Sequence, residues 1–253
     1  MERFGDWQLD ALIAVGGLGE VWQATNGDRT RALKRLHTHL SRNEEGRAQF
    51  AVEQQLATTL PRHPNVVHAD EIGEVEGRPY IALALAPGQD LRRLLTPEAV
   101  LPRARVIAIL TQACDAVAHL HAHGWVHGDV NPGNLVVADS DQTTLIDLGV
   151  SRAVGEAGMV RGTHAYMAPE QVRGEPWTRA TDVFALGVVL WELVAGARLF
   201  HRGPSWLSMA AVVEATAPAL SDPALDVIVQ AALAKDPADR IPTATELLDR
   251  LRG

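Results

Sequence analysis

A glycine-rich segment near the start of the chain is the first place where residue types suggest chemistry. Residues 14–21 read Ala-Val-Gly-Gly-Leu-Gly-Glu-Val and lie between two predicted strands. Glycines at such a turn allow backbone amides to approach phosphate oxygens, because no Cβ atom is in the way. A plain hairpin turn would use the same residues, so the segment alone leaves both interpretations open. A dinucleotide-binding fold is disfavoured, since a strand rather than a helix follows the glycines.

Polar and charged residues follow this segment in a definite order. Lys34 is on the third predicted strand, and Glu53 is within the helix predicted after it. Taken singly, each would be a solvated surface residue. Residues 127–134 then read His-Gly-Asp-Val-Asn-Pro-Gly-Asn, and residues 147–149 read Asp-Leu-Gly.

Three later motifs complete the series. Residues 162–170 read Gly-Thr-His-Ala-Tyr-Met-Ala-Pro-Glu, residues 182–187 read Asp-Val-Phe-Ala-Leu-Gly, and residues 236–240 read Asp-Pro-Ala-Asp-Arg. Any one of them could be a surface loop or a helix cap. In this order, from Gly16 to Arg240, they resemble the kinase domain of bacterial, eukaryotic-like Ser/Thr protein kinases. The resemblance implies an α+β, two-lobed fold with a small β-rich N-lobe, one main helix in it, and a larger α-helical C-lobe.

The resemblance implies roles for the charged residues. Lys34, held by Glu53, would fix the α- and β-phosphates of ATP. Asp129 would accept the proton of the substrate hydroxyl. Asn134 and Asp147 would hold Mg²⁺, since hard cations bind oxygen ligands. The expected activity is therefore an ATP- and Mg²⁺-dependent transfer of the γ-phosphate to a protein hydroxyl.

The resemblance also implies which residues surround the nucleotide. Glycines would cover the phosphates, apolar side chains would enclose adenine, and backbone groups after the gatekeeper position would contact its edge. The expected ATP-binding residues are Ile13, Val15, Gly16, Gly17, Gly19, Val21, Ala32, Lys34, Leu83, Ala84, Ala86 and Val136. Glu170 and Arg240 resemble the family's buried ion pair, which has a structural role.

Gly128 departs from the family pattern in a way that bears on regulation. An arginine usually stands here, before the catalytic aspartate, and in many kinases it receives the phosphate of a phosphorylated activation segment. Between residues 150 and 169 the only hydroxyl side chains belong to Ser151, Thr163 and Tyr166. We therefore predict that activity does not depend on phosphorylation of this segment.

By its position, Asn131 is expected among the catalytic residues with Asp129, Lys34 and Glu53, and it is the departure from the family pattern that bears on rate. Ser/Thr kinases place a lysine two residues after the catalytic aspartate, where it neutralises charge on the γ-phosphate, and asparagine offers only a neutral dipole. Losing one preorganised donor typically costs about 2.7–4 kcal/mol of transition-state stabilisation. Weak transfer is the expectation, unless another cation such as Arg161 takes the place of the lysine. Ala14, in place of the first loop glycine, is a mild change.

Two other functions remain open. A pseudokinase that binds nucleotide as a scaffold or regulator would explain Asn131, although Lys34, Glu53 and Asp129 are all retained. A small-molecule phosphotransferase has a similar His-Gly-Asp-x-x-Pro-x-Asn loop, but such enzymes lack counterparts of residues 162–170 and Arg240.

The elements that must position these residues fall into two regions. The first has predicted strands at Trp7–Val15, Gly19–Asn26 and Thr30–His37, a helix from about Glu44 to Leu60, and a hairpin of Ile72–Val75 and Arg78–Leu85. The second has predicted helices at Arg103–His123, Thr181–Ala195, Ser208–Ala215, Ala224–Ala234 and Thr243–Leu251. One kinase domain over residues 1–253 is expected, with an N-lobe at about 1–83, a hinge at about 84–88 and a C-lobe at about 89–253.

Composition restricts the class of protein, its binding partners and its cellular compartment. A hydrophobic content of 47% with 21% charged residues is ordinary for a folded protein, and a net charge of -8 gives no general attraction to nucleic acid. Cys114 is the only cysteine, which fits a reducing compartment. No segment has the pattern of a signal peptide or a membrane span. We expect a cytoplasmic protein with a protein substrate and with a dimer or regulatory partner as further possibilities.

Overall fold

The computed structural model describes residues 2–95, 101–158, 160 and 162–253. The described residues form two compact units. The first unit is made of Met1–Arg62, Val66–Ala86 and Asp147–Gly149, and the second of His63–Asn65, Pro87–Ile146 and Val150–Gly253. Apart from the short segment His63–Asn65, the chain passes from the β-rich unit to the second unit between residues 86 and 87. This point lies within the segment predicted as a hinge, and the hinge itself stays a prediction.

The first unit is an antiparallel sheet with one long helix. Its strands are β1 (Glu2–Phe4), β2 (Trp7–Val15), β3 (Gly19–Asn26), β4 (Arg29–Leu36), β5 (Ala69–Val75) and β6 (Arg78–Leu83), and its helix is α1 (Glu44–Thr59). The strand order in the sheet is β1-β2-β3-β4-β6-β5. Its apolar core includes Trp7, Leu33 and Ala82, which are fully or almost fully buried.

Local sequence explains where these elements begin and end. The Asn43 side chain caps α1 by accepting a hydrogen bond from the backbone N–H of Gly46. The helix ends shortly before Pro61, which a helix accommodates poorly. Strands β5 and β6 are joined at Glu76-Gly77, whose φ angles of 50° and 78° are both left-handed, as a two-residue hairpin requires.

The second unit is mainly helical. Its helices are α2 (Arg103–Ala122), α3 (Pro169–Val172), α4 (Arg179–Ala195), α5 (Ser205–Glu214), α6 (Pro223–Ala232) and α7 (Ala244–Arg252). Its short strands are β7 (Gln89–Asp90), β8 (Trp125–Val126), β9 (Leu135–Val137), β10 (Thr143–Leu145) and β11 (Arg152–Ala153). Helix α4 is buried along almost its whole length, from Ala180 to Leu193, as expected for a helix that is apolar on all sides.

The predicted fold class is confirmed: a β-rich unit with one main helix is followed by a larger helical unit. The predicted start of α5 at Ser208 is wrong by one turn, because the helix begins at Ser205, directly after Pro204. No helix in the described ranges combines the length and apolar character needed to cross a membrane.

Candidate active site

Lys34 lies at the centre of a buried charge cluster in the first unit. Its Nζ atom is 2.6 Å from Glu53 Oε1 and 2.7 Å from Asp147 Oδ1. The Lys34 side chain is only 7% exposed, and that of Glu53 only 2%. A lysine ammonium is rarely buried unless it is paired, so these two carboxylates are what allow its burial.

The electrostatics of the cluster follow from burial and pairing. Burial acts against the charge of Lys34, but the carboxylates of Asp147 and Glu53 outweigh it and hold the pKa of Lys34 above its ordinary value. Burial raises the pKa of Glu53 to about 7, although the Lys34 ammonium opposes this. The Lys34 ammonium on β4 therefore stays positively charged.

Asp147 is held in a conformation that few residues adopt. Its φ of 62° is left-handed, a strained value for a residue other than glycine. Helix α1 holds the residues that follow it: Gln49 Nε2 donates to the Gly149 carbonyl at 2.9 Å, and a Cβ atom on Gly149 would lie 2.8 Å from Glu53 Oε2. Strain that is held in place in this way indicates a constraint of function at Asp147.

The glycine-rich segment forms a tight turn that is tied to the end of β4. The Gly16 N–H donates to the Gly19 carbonyl at 2.8 Å, and the His37 N–H donates to the Leu18 carbonyl at 2.9 Å. The His37 side chain is hydrogen-bonded to the Gly16 carbonyl at 2.9 Å. Gly17 has no neighbouring atom within 4 Å of where a Cβ would be, which leaves room for a ligand.

Gly19 has a packing role that the sequence did not indicate. A Cβ atom there would lie 2.2 Å from the backbone oxygen of Arg35, so only glycine allows β3 to approach β4 at this point. This packing requirement is independent of any phosphate contact. The phosphate role predicted for Gly19 stays a prediction.

Strand register places three of the predicted apolar residues with the lysine. Val21 pairs with Lys34, Ala32 is two residues before it, and Ala32 pairs with Leu83. Directly paired residues, and residues two apart on one strand, share a face of the sheet, so these four side chains lie on one face.

Two predicted residues are not brought onto that face by the register. Val15 pairs with Glu20, whose side chain is on the opposite face from Val21, and Ile13 falls in an irregularity between the paired residues Leu12 and Ala14. Both side chains are more than half exposed, at 65% and 51%.

The remaining predicted nucleotide contacts are Ala84 and Ala86, which follow β6, and Val136, which is on β9. The Ala84 N–H donates to the His68 carbonyl at 2.9 Å, which fixes the backbone directly after β6. Ala86 is the last residue of its segment of the first unit. Val136 is in the second unit, on β9, where it pairs with Asp90 and Thr144.

In the second unit, hydrogen bonds fix the carboxylate of Asp129. Its Oδ1 atom accepts from the Thr163 N–H at 2.9 Å, and its Oδ2 atom accepts from Asn134 Nδ2 at 3.1 Å. Asn134 Nδ2 also donates to the Asp129 carbonyl at 2.9 Å. Because Asn134 uses its NH₂ group for these contacts, its Oδ1 atom is the one that could bind a metal.

Asn131 uses its side chain to stabilise the loop. Its Nδ2 atom donates to the Asp129 carbonyl at 3.0 Å, and its Oδ1 atom accepts from the Gly133 N–H at 2.8 Å. The residue is only 5% exposed and caps the 3-10 turn Pro132–Asn134. This geometry describes a residue that shapes the loop of residues 127–134, which resembles the kinase catalytic loop and is given that name below. The predicted catalytic role of Asn131 remains a prediction.

The catalytic loop is anchored to helix α4 through Asp182. This buried carboxylate accepts hydrogen bonds from the N–H groups of His127 and Gly128, each at 2.8 Å. It also forms a hydrogen bond with His121 Nε2 at 2.9 Å. Burial alone would raise the pKa of Asp182, but the His121 contact and the backbone donors hold it below its ordinary value. The loop that carries Asp129 is therefore fixed to the core.

Glu170 and Arg240 form a buried, bidentate ion pair in the second unit. Arg240 Nη1 and Nη2 lie 2.8 and 3.0 Å from the two carboxylate oxygens of Glu170. Neither side chain is more than 1% exposed. Thr181 Oγ1 donates to the same carboxylate at 2.9 Å, so the pair links α3, α4 and the loop before α7.

Sequence reasoning missed the residues that support the predicted ones. Gln49 and His37 are examples, since both bind backbone carbonyls next to predicted site residues. Gln49 is four residues before Glu53, so the two share a helix face, and this spacing was a usable signal. His37 had no such signal, because its contact depends on how the glycine-rich turn folds.

A family comparison agrees with this geometry. A sequence model of the protein kinase domain matches residues 7–251. The chain belongs to the protein kinase family. The buried Lys34–Glu53 pair, the loop of residues 127–134 and the Glu170–Arg240 pair all lie within the matched residues.

The most similar curated proteins include bacterial kinases. The serine/threonine-protein kinase PknD of Mycobacterium tuberculosis is 35% identical over 259 residues, which cover 97% of this chain and 39% of that protein. The probable serine/threonine-protein kinase PknB of Corynebacterium glutamicum is 32% identical, covering 95% and 41%. The serine/threonine-protein kinase PknA of Mycobacterium tuberculosis is 34% identical, covering 93% and 58%. The kinase chain therefore spans between about two fifths and three fifths of the length of these relatives.

Proposed function

We propose that this chain transfers the γ-phosphate of ATP to a serine or threonine hydroxyl of a protein substrate. The observation that carries the proposal is the buried lysine of β4, whose Nζ atom contacts both Glu53 and Asp147 within 2.7 Å. Burying the charged groups of Lys34 and Glu53 together costs stability, so a folded chain retains them when they serve a purpose such as binding phosphate.

The residues fit the cofactors that this activity needs. Asp147 is 44% exposed at its side chain and offers carboxylate oxygens, and Asn134 offers an amide oxygen. Oxygen donors of this kind suit Mg²⁺. Lys34 supplies a permanent cation, and the open space at Gly17 leaves room at the glycine-rich turn for the phosphates of ATP. When bound, Mg²⁺ neutralises charge on the phosphates.

Three residues of the proposed site then have separate roles in the reaction. Asp129 accepts the proton of the substrate hydroxyl, and the hydrogen bonds from Asn134 and from the Thr163 N–H fix the orientation of its carboxylate for that task. Glu53 orients Lys34, so that the ammonium is aligned before nucleotide binds. Asp182 keeps the loop of Asp129 in place through the backbone N–H groups of His127 and Gly128.

The proposal includes the cofactors, the substrate and the cellular location of the reaction. ATP and Mg²⁺ are the proposed cofactors, a protein of unknown sequence is the proposed substrate, and the cytoplasm is the proposed location. The buried Cys114 is consistent with that location, since its thiol needs no partner. A dimer or a regulatory partner is part of the same proposal.

A second candidate function is a nucleotide-binding scaffold without useful transfer. The observation that favours it is Asn131, whose side-chain groups both bind the loop backbone and bring no positive charge. The two candidates share nucleotide binding and differ in catalysis.

The decisive experiment is phosphate transfer from labelled ATP to a generic protein substrate and to the chain itself. Asp129→Asn is the negative control, because it keeps the shape of the side chain and removes the base. We expect transfer by the wild type and loss of at least about 100-fold in the variant. Equal signals from both proteins, or none from either while Mg-ATP still binds, would favour the scaffold.

A further inference from the structure

Trp177 is a buried residue of the second unit that contacts two glycines from distant parts of the chain. It is 1% exposed. A Cβ atom on Gly128 would lie 2.2 Å from Trp177 Cζ3, and one on Gly158 would lie 2.2 Å from Trp177 Cζ2. Side-chain carbons never approach other atoms so closely, so the six-membered ring of the indole fills the space that a side chain at either position would need.

Backbone hydrogen bonds align the start of the activation segment with the same tryptophan. The Gly155 N–H donates to the Trp177 carbonyl at 2.8 Å, and the Trp177 N–H donates to the Glu156 carbonyl at 3.0 Å. Ala157 forms a β-bridge with Pro176. Residues 155–157 therefore pair with the backbone at Pro176 and Trp177, and Gly158 directly after them contacts the six-membered ring of the indole.

The same six-membered ring also contacts the loop of residues 127–134 at Gly128. Gly128 immediately precedes Asp129, and its φ of 77° is left-handed. Its N–H donates to Asp182, and its carbonyl accepts from Gln171 Nε2 at 2.9 Å. Gly128 is thus fixed in place, and an arginine side chain at this position would collide with Trp177.

The hydroxyl side chains between residues 150 and 169 are poor sites for regulatory phosphorylation. Ser151 is 1% exposed and Tyr166 is 5% exposed. Tyr166 donates its hydroxyl to Glu192 Oε2 at 2.7 Å. Thr163 is exposed, but its own N–H already donates to Asp129. The segment is placed next to the catalytic loop by contacts that involve no phosphate.

We propose that Trp177 is a positioning residue that holds the activation segment against the catalytic loop, in place of a phosphate bound by an arginine. This inference rests on the proposed kinase function for its effect on rate. The contact is apolar and present in the unmodified chain, so it holds residues 155–158 without a phosphate. Phosphatase treatment of the wild type therefore leaves its rate unchanged.

Hydrogen exchange tests the contact without any need for catalysis. In Gly158→Ala the new methyl group displaces the indole, and in Trp177→Phe the outer part of the ring is missing. Each variant should speed exchange of the Gly155 and Trp177 amides by about tenfold or more. The double variant should exchange no faster than the single ones, because both changes act through one contact.

A matched pair of glycines separates this contact from backbone strain. Gly128→Ala places alanine at a left-handed φ and against the indole, whereas Gly174→Ala places it at a similar φ of 70° with no atom within 4 Å. Gly128→Ala should accelerate exchange at residues 155–158, and Gly174→Ala should not. Mg-ATP binding, measured by calorimetry, confirms that each variant is folded.

Rate measurements complete the test. Gly158→Ala and Trp177→Phe should lower kcat for a protein substrate by about tenfold, with a smaller change in the KM for ATP. Unchanged exchange in both variants, additive effects in the double variant, or a wild type that loses its rate on dephosphorylation would each overturn the role of Trp177. A wild type that transfers no phosphate but shows the expected exchange would overturn the proposed function alone.

Discussion

Asn131 is the residue on which the rate of transfer should depend most. Its side chain carries no charge, and its two polar groups stabilise the loop by binding the Asp129 carbonyl and the Gly133 N–H. A lysine at this position would add a charge near the γ-phosphate and would lose the cap of the 3-10 turn. A lost cap of this type costs about 1 kcal/mol of stability, less than the catalytic gain expected from the charge.

Asn131→Lys should therefore raise kcat by up to about 100-fold and change the affinity for ATP less, because the charge matters most in the transition state. Steady-state kinetics at saturating ATP measures this. Asn131→Met is the matched control, since it loses the same hydrogen bonds and gains no charge. A rate that falls in both variants would show that the cap is what catalysis needs. A much smaller gain would point to another cation, and Arg161, the candidate from the sequence, lies outside the described residues.

Glu53 gives a prediction on pH. Burial raises its pKa to about 7 from an ordinary 4.5, so between these values the folded chain holds a proton that the unfolded chain has released. The contribution of this group to stability is complete below about pH 4.5 and is lost as the pH rises through about 7. Glu53→Gln removes that dependence. Urea unfolding across this range should show a fall of up to about 1.4 kcal/mol per pH unit in the wild type that is absent from the variant.

The control for this measurement is Glu246→Gln, which changes an exposed glutamate of α7 and should keep the wild-type dependence on pH. Parallel curves for the wild type and Glu53→Gln would contradict the raised pKa of Glu53.

The contacts of a single residue were predictable where the residue belongs to a sequence motif. They were not predictable where they depend on residues that are distant in the sequence. Lys34 and Glu53 were paired from the sequence, and the structure brings their charged atoms to 2.6 Å. The role of Trp177 was not predictable, since nothing in its local sequence indicates the two glycines that it contacts. Such contacts depend on the tertiary path of three separate segments.

At the level of elements, the buried helix α4 organises the second unit. Its Asp182 holds the catalytic loop, and its Thr181 donates to Glu170, which pairs with Arg240. Long elements such as β2 and α2 were predictable because their length allows a clear pattern. Strands of two or three residues, such as β7, β8 and β11, were not, because they are too short to show periodicity.

The Glu170–Arg240 pair is expected to stabilise the second unit and to play no part in chemistry. Glu170→Gln leaves the Arg240 guanidinium buried without its charge partner, which typically costs about 3–5 kcal/mol. Chemical denaturation measures this loss. The matched control, again Glu246→Gln, breaks the pair with Arg250, in which both side chains are 42% exposed, and should cost less than about 1 kcal/mol. A variant of Glu170 that keeps full stability but loses transfer would contradict the structural role.

At the scale of the whole molecule, the proposed function needs residues from both compact units. Lys34, Glu53 and Asp147 belong to the first unit, whereas Asp129 and Asn134 belong to the second. The order of motifs along the sequence predicted two lobes. The placement of residues 147–149 in the first unit was not predictable, because they return to it from the middle of the second unit's sequence.

Mg-ATP should stabilise the folded chain, and this binding should need the metal. A ligand that binds only the folded state adds RT ln(1 + [L]/Kd) to stability, about 2.7 kcal/mol at a concentration about 100 times Kd. ATP with Mg²⁺ should therefore raise the thermal midpoint more than ATP alone, because Asp147 and Asn134 offer oxygen atoms for the metal.

Asp147→Asn tests the metal assignment within the same thermal titration. The amide keeps the size of the side chain and removes the negative charge that would bind Mg²⁺ and that now pairs with Lys34. The variant should lose most of the difference between ATP with and without Mg²⁺, whereas Asp129→Asn, which alters the proposed base, should keep more of it. Equal shifts for the wild type and Asp147→Asn would reject Asp147 as a metal ligand. The absence of any shift with Mg-ATP would reject the nucleotide site, and with it both the kinase and the scaffold.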